Sequence, residues 1–226
     1  MSYGLEFTNN DGVVTVDSEF TRLVVLAKGT YQPTQESGLG SVTSFPQTIT
    51  SQEPPLVFIR PAGSSGIAGL CLMRVIGSPG AWTGFYVRAY DVNTLQPNGA
   101  YFVCGFAATA LANYGMRLWD GGSKLLFDTD TPYARFTRSF QNWTYIKSDT
   151  TDQGVPRNYY RVNFNFPVGE YMLINTFGMP MLNDGVQSRA LYCWWDFTGG
   201  NLYALTIGLG NPFAFFLPAV FARLAA

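Results

Sequence analysis

Three aspartates near the middle of the chain are spaced closely enough to be considered as ligands of a metal ion. Asp128 and Asp130 flank Thr129, and Asp120 lies a few residues earlier; oxygen ligands of this type suit a hard cation. Their spacing does not match an EF-hand loop, so we predict no metal site. A glycoside hydrolase needs two carboxylates about 5–10 Å apart, and no acidic pair stands out by position. We therefore predict a protein that is not an enzyme and uses no cofactor.

Histidine is missing from all 226 residues. Its absence removes the Ser–His and Cys–His nucleophiles, the usual histidine-containing zinc sites and the commonest general base near neutral pH. The three cysteines, Cys71, Cys104 and Cys193, are odd in number and form no CxxC pattern. This pattern is typical of reduced thiols in a core rather than of a disulfide scaffold.

Aromatic residues make up 16% of the chain and suggest a different chemistry. Tryptophan and tyrosine rings can stack on sugar rings while neighbouring amides bind the hydroxyl groups, although most such rings fill β cores and interfaces. Trp194 and Trp195 are adjacent on a predicted strand, so their side chains should point to opposite faces of the sheet. One of the two should therefore lie outside the core, and we take Trp194 and Trp195 as the candidate ligand-binding residues.

The composition favours a β protein that buries part of its surface against partners. Hydrophobic residues reach 47% and charged residues only 13%, about half of the roughly 25% in an average domain. The 24 glycines and 13 prolines fit many short strands joined by tight turns. The net charge of −1 and the lack of a basic block predict no binding to nucleic acid.

Neither end of the sequence resembles a membrane segment. The first residues lack the basic and apolar regions of a signal peptide, so we expect synthesis in a cytoplasm. The apolar segment 211–226 is shorter than the roughly 20 residues of a membrane helix and is interrupted by Pro212, Pro218 and Arg223. We predict a buried or interfacial strand there, and no membrane span.

A repeat connects the two halves of the chain. Tyr3–Ser18 and Tyr114–Thr129 match without a gap at an offset of 111 residues, sharing tyrosine, glycine and aspartate positions. Each copy alternates apolar and polar residues around an Asp/Gly-containing turn, which predicts a β-hairpin. Its glycine should mark a bulge or a close backbone contact, and the aspartate at its end should bind the local backbone. Hairpins with such turns also arise in unrelated proteins.

The fold predicted from these patterns is all-β, with two β-sandwich-like units related by internal duplication and covering residues 1–110 and 111–226. The clearest alternation runs over Asn158–Phe166. The polar segments 29–55 and 148–157 are predicted to be long loops, the usual place for recognition on a rigid β scaffold.

The hairpin motif resembles a group of small proteins encoded among the tail genes of long-tailed bacteriophages. They share a Tyr-Gly-Leu strand, an Asn/Asp/Gly turn and a hydrophobic-Asp-Ser ending, here in Tyr3–Ser18 and again in Tyr114–Thr129. The resemblance covers about 16 residues in each half and carries no catalytic residue. It implies a virion component near the tail tip or fibres.

From this resemblance we expect a structural protein of the phage tail, made in the host cytoplasm, that contributes to assembly and host attachment. Expected partners are other tail proteins and copies of the chain, with a trimer as one candidate, and a host-surface glycan. The alternatives are a carbohydrate-binding module, a fibre-associated glycan hydrolase and a capsid decoration protein. Solution mass separates an assembly subunit from a monomeric carbohydrate-binding module, loss of glycan substrate on incubation would reveal a hydrolase, and imaging of labelled protein on particles would identify a capsid decoration protein.

Overall fold

The structure is a computed structural model that describes two sets of residues. Backbone and side chains are described for 22–34, 38–90, 94–107, 110–179, 191–210 and 215–225, and the backbone alone for strand segments 6–8, 14–17, 181–183 and 186–190. The sequence expectations at Gly4, and at the two ends of the predicted strand 211–226, fall outside these residues.

Within the described residues the chain forms eighteen β-strands and no α-helix. Hence no described helix is long and apolar enough to cross a membrane. The strands are β1 (Glu6–Thr8), β2 (Val14–Asp17), β3 (Leu23–Tyr31), β4 (Gly40–Ile49), β5 (Leu56–Pro61), β6 (Ile67–Ser78), β7 (Ala81–Ala89), β8 (Gly99–Phe106), β9 (Arg117–Trp119), β10 (Leu125–Asp128), β11 (Tyr133–Phe140), β12 (Thr144–Thr150), β13 (Pro156–Asn163), β14 (Tyr171–Leu173), β15 (Met181–Asn183), β16 (Val186–Asp196), β17 (Asn201–Ile207) and β18 (Ala219–Ala225).

Two large antiparallel sheets organise these strands, which confirms the all-β prediction. Six strands, in the order β11-β18-β14-β5-β8-β3, close on themselves, and seven follow the order β12-β13-β17-β16-β6-β7-β4. β15 pairs with β16 beside the second path. Each sheet takes strands from both sides of residue 110, so neither sheet corresponds to one half of the chain.

The main hydrophobic core lies between the two sheets. Apolar side chains from alternate positions of both sheets meet there and are fully buried, in keeping with the period of two that the sequence shows. Members from the six-stranded sheet include Val57, Ile59, Val103, Met172 and Phe221, and members from the seven-stranded sheet include Leu70, Phe85, Cys193, Trp195 and Leu202.

A second core fills the inside of the six-stranded sheet, since all six of its strands contribute side chains to it. Phe58 stacks on Phe102 with ring centroids 4.8 Å apart, and Cys104 and Ala222 are buried beside them. Burial raises the pKa of Cys104 to about 12. All three cysteines are buried and none of them forms a disulfide, as the sequence predicted.

One predicted loop contains a strand, and the other is shorter than predicted. Segment 29–55 includes β4 over 40–49, and in segment 148–157 the connection between β12 and β13 is limited to 151–155. β4 lies at one edge of the seven-stranded sheet. Edge strands tolerate polar residues and proline, which is why the sequence of β4 resembles that of a loop.

The sequence repeat corresponds to two small hairpins with the same design. β1–β2 and β9–β10 have bounds that differ by the repeat offset, and their registers agree pair by pair. Glu6 pairs with Asp17 as Arg117 pairs with Asp128, and both hairpins shift register at the equivalent place. The equivalence concerns these two hairpins alone.

Asp128 fastens the second hairpin to the chain before it. Its buried carboxylate accepts hydrogen bonds from the backbone N–H groups of Leu111 (3.2 Å), Ala112 (3.1 Å) and Asp130 (3.0 Å), and from Arg117 Nε (2.7 Å). Burial opposes ionisation, but the bonds from Arg117 and these N–H groups outweigh it and lower the pKa of Asp128. The aspartate therefore binds the local backbone, as predicted.

The glycine of the second hairpin motif is required by its surroundings. Gly115 has a φ of 145°, which side chains rarely adopt, and an added Cβ would collide with Thr129 Oγ1. The predicted close contact is therefore present at Gly115.

Candidate ligand-binding surface

Trp194 and Trp195 point to opposite faces of β16, as the sequence predicted. Trp195 is 0% exposed in the core between the sheets, where its ring packs against Phe164, Phe166 and Phe221. Trp194 lies half-buried on the other face of the seven-stranded sheet. Trp194 is consequently the member of the pair that a ligand could reach.

Trp194 is the centre of a group of rings on this outer face. Tyr90, Tyr159, Tyr192 and Tyr203 surround it, and we call these five residues the outer aromatic cluster. The ring centroids of Tyr90, Tyr159 and Tyr203 lie 5.4, 5.7 and 6.5 Å from that of Trp194, and Tyr192 lies 4.8 Å from Tyr90. Most of these contacts are edge-to-face, a favourable geometry for aromatic pairs.

Small and aliphatic residues form the floor beneath the rings. Leu205 is fully buried between its cross-strand neighbours Tyr159 and Tyr192. Gly69 lies opposite Trp194, and a Cβ at that position would come within 3.0 Å of the indole nitrogen. The absence of a side chain at Gly69 therefore lets the indole lie close to the sheet.

The register aligns Trp194 with an arginine two strands away. Trp194 pairs with Tyr203, Tyr203 with Arg161, and Arg161 with Thr144 on the edge strand β12. We call the line Thr144, Arg161, Tyr203, Trp194 and Gly69 the Arg161 row. Because directly opposed residues of antiparallel strands lie on the same face, these side chains line one path across the sheet.

Arg161 is half-buried on the outer face of β13. No hydrogen bond or ion pair joins its guanidinium to another described residue. Beside it lies a hollow of about 360 Å³ lined by Asn142, Thr144, Arg161, Val162 and Asn163. Amide and hydroxyl groups next to a free guanidinium can bind a polar, anionic group.

Two neighbouring cations on this face, in contrast, share one carboxylate. Asp149 Oδ1 lies 2.6 Å from Arg157 Nε, and its Oδ2 lies 3.1 Å from Lys147 Nζ. Arg157 also donates a hydrogen bond to the Tyr90 hydroxyl at 2.9 Å, and Lys147 lies 4.6 Å above the Tyr159 ring. This group holds the edge of the aromatic cluster in place.

The ion pairs of Asp149 should give a measurable acid titration. The hydrogen bond from Arg157, helped by Lys147, lowers the pKa of Asp149 to about 2, against about 4 in an unfolded chain. A depressed carboxyl pKa stabilises the fold above the unfolded pKa, and this contribution is lost as pH falls from about 4 to about 2. Carboxyl NMR should show the midpoint near 2 in the native chain and nearer 4 in Arg157→Gln; a midpoint near 4 in both would contradict these ion pairs.

A larger groove, of about 530 Å³, lies elsewhere on the molecule and has a different character. It runs between the β3–β8 pair and the end of β4, with Leu26, Ile49 and Phe106 among its lining residues. None of its lining residues is charged. It offers apolar contact but no group suited to acid–base or metal chemistry.

A buried carboxylate with several cations lies in and beside the six-stranded sheet. Glu170 has a side chain only 3% exposed, with Arg138 Nε at 3.0 Å from Oε2 and Arg223 Nη2 at 3.6 Å from Oε1. Arg135 lies opposite Arg223 in the β11–β18 register. Glu170 therefore links Arg138 of β11 to Arg223 of β18 through ion pairs.

Comparisons with protein-family models, with curated proteins and with solved structures returned no match. The candidate surface is thus defined by its own geometry. Sequence reasoning identified Trp194 but missed Arg161 and the hollow. The alternation of β13 already placed Tyr159 and Arg161 on one face of the strand. The sequence did not show the strand pairing that places this face beside Trp194.

Proposed function

We propose that this chain is a structural subunit of a bacteriophage tail, located at the tail tip or in a tail fibre, and that it contributes to assembly and host attachment. The observation that carries the proposal is the agreement of the two hairpins in bounds, register and irregularity. The motif on which the resemblance to tail-gene products rests therefore forms the same type of hairpin at two places in the chain. The chain would be made in the host cytoplasm and become part of the virion.

The same agreement supports an origin by duplication. In this proposal, residues 1–110 and 111–226 each carry one copy of the hairpin, and strands from both units combine in the two large sheets. After such a mixing of strands the hairpins would keep the clearest trace of the duplication, because their pairing is local.

Exposed apolar side chains support assembly with copies and neighbouring subunits. Tyr114 and Trp119, in the second repeat motif, are 95% and 53% exposed, and Leu111 beside the hairpin is also exposed. Large apolar groups at an exposed hairpin are suited to contact with another protein. We infer that this hairpin makes one of the assembly contacts.

The oligomeric state tests that inference. The native chain should have a solution mass of several copies, whereas Tyr114→Ser with Trp119→Ser should shift the mass toward one copy. The matched control is Val168→Ser, which alters an equally exposed apolar residue outside the hairpin. A native chain that stays a monomer at high concentration, measured by light scattering, would argue against self-assembly.

Antibody labelling of purified phage particles tests the location. Electron micrographs should show label at the distal end of the tail in most particles. Label on the head would favour the capsid decoration alternative, and particles without label would remove the virion role.

The outer aromatic cluster favours carbohydrate binding as a second function, either of a tail subunit or of a separate lectin-like module. Partly exposed Trp194 and Tyr203 provide ring surface, and polar groups lie beside them in the hollow. This combination is typical of sites that stack on a sugar and bind its hydroxyl groups. In the tail proposal, a host-surface glycan would be the ligand.

A further inference from the structure

The Arg161 row contains a charge that the described protein does not neutralise. Of the two arginines on the outer face of β13, Arg157 has Asp149 as its ion-pair partner at 2.6 Å. Arg161, four residues along the same strand, has no ion pair or hydrogen bond to any described residue. The two arginines share a face and a strand, and among the described residues only Arg157 has an ion-pair partner.

The residues around Arg161 supply no carboxylate. Neither the Arg161 row nor the lining of the hollow contains an acidic residue among the described positions. In the next row along the sheet, Asp196 accepts a hydrogen bond from the backbone N–H of Gly199 at 2.8 Å. A half-buried guanidinium in this position is best stabilised by an anion from outside, and its planar fork fits a carboxylate in particular.

The groups on either side of Arg161 fit the rest of a sugar. Tyr203 and Trp194 follow it along the row, so a ring stacked on them would lie next to the guanidinium. The hollow on the other side presents Asn142, Thr144 and Asn163, whose amide and hydroxyl groups can bind sugar hydroxyls. The aromatic rings, the guanidinium and the neutral polar groups of the hollow thus lie along one line across the sheet.

We propose that the Arg161 row binds an acidic saccharide of the uronic acid class. The sugar ring stacks on Trp194 and Tyr203, its carboxylate pairs with the Arg161 guanidinium, and its hydroxyls bind the polar side chains of the hollow. This inference rests on the proposed attachment function and specifies its ligand. It concerns the chemical class of the sugar and involves no covalent step.

Matched oligosaccharides test the proposal. The probes are oligogalacturonate, an alginate-derived oligouronate, and a neutral oligogalactose, which carries CH₂OH where oligogalacturonate carries the carboxylate. The native chain should bind at least one uronate about tenfold more tightly than the neutral oligomer in calorimetry, the effect expected of one charge-assisted contact. The preference should shrink as salt is added.

Substitutions in the Arg161 row test whether these residues cause the preference for the uronate. Arg161→Gln should abolish the preference for the uronate, with a much smaller loss of affinity for the neutral oligomer, and Arg161→Lys should keep part of the preference. Trp194→Ala should weaken binding of both oligomers. The control is Arg135→Gln, which removes an exposed arginine on the six-stranded sheet and should change neither.

The outcomes separate this inference from the proposed function. Failure to bind either uronate, or a preference that survives Arg161→Gln, would overturn the acidic-saccharide site. If labelled tails are found together with such a failure, the tail function stands and only the ligand is wrong. If the uronates bind through Arg161 but the chain is missing from virions, the tail function is wrong and the site stands.

Discussion

Trp195→Ala should lower the free energy of unfolding by about 3–5 kcal/mol, the usual cost of removing a large buried aromatic side chain. Trp195 is fully buried and contacts rings from both sides of the core. Alanine would leave a cavity between the sheets that the surrounding strands could not close. A chain carrying this substitution should unfold at much lower urea concentration.

The neighbouring residue provides the matched comparison. Trp194→Ala removes a half-buried ring from the outer face, so it should cost about 1 kcal/mol. Urea unfolding followed by circular dichroism measures both variants under the same conditions. Equal losses for the two tryptophans, or a larger loss at position 194, would contradict the assignment of faces.

Glu170→Gln should lower the free energy of unfolding by about 2 kcal/mol. The amide keeps the shape of the side chain but removes the charge that Arg138 and Arg223 share, while Arg135 remains opposite Arg223. The loss lies below that of a fully buried pair because both partner arginines are partly exposed, and water screens them.

Salt distinguishes this electrostatic loss from a packing defect. The deficit of Glu170→Gln should shrink at high ionic strength, because repulsion among the remaining arginines is screened. Glu53→Gln serves as the control, since Glu53 is exposed in the connection before β5, and it should leave stability almost unchanged. A deficit at Glu170 that is equally large in high salt would show that packing, not charge, causes it.

The class of fold and several individual strands could be predicted from the sequence. Alternation over Asn158–Phe166 predicted β13, although the strand ends at Asn163, and adjacency alone placed Trp194 and Trp195 on opposite faces. Local patterns are enough here because strand periodicity and hairpin turns involve only nearby residues.

The order of the strands in the sheets could not be predicted, because it depends on pairings between residues that are distant in the sequence. β5 pairs with β14, and β6 pairs with β16, across more than a hundred residues. The polar β4 was predicted as part of a loop because edge strands need not alternate clearly. The Arg161 row depends on four strand pairings at once, of which only the pairing of Trp194 with Gly69 spans more than a hundred residues. Its residues come from five different strands and share no local motif.

A density map of the assembled phage particle, with this chain placed in it, tests the central claim most directly. The proposal predicts several symmetry-related copies at the distal end of the tail, with the hairpin bearing Tyr114 and Trp119 at contacts between subunits and the Arg161 row facing the solvent. A map that contains the chain only on the head, or that buries the Arg161 row against a neighbouring subunit, would contradict it.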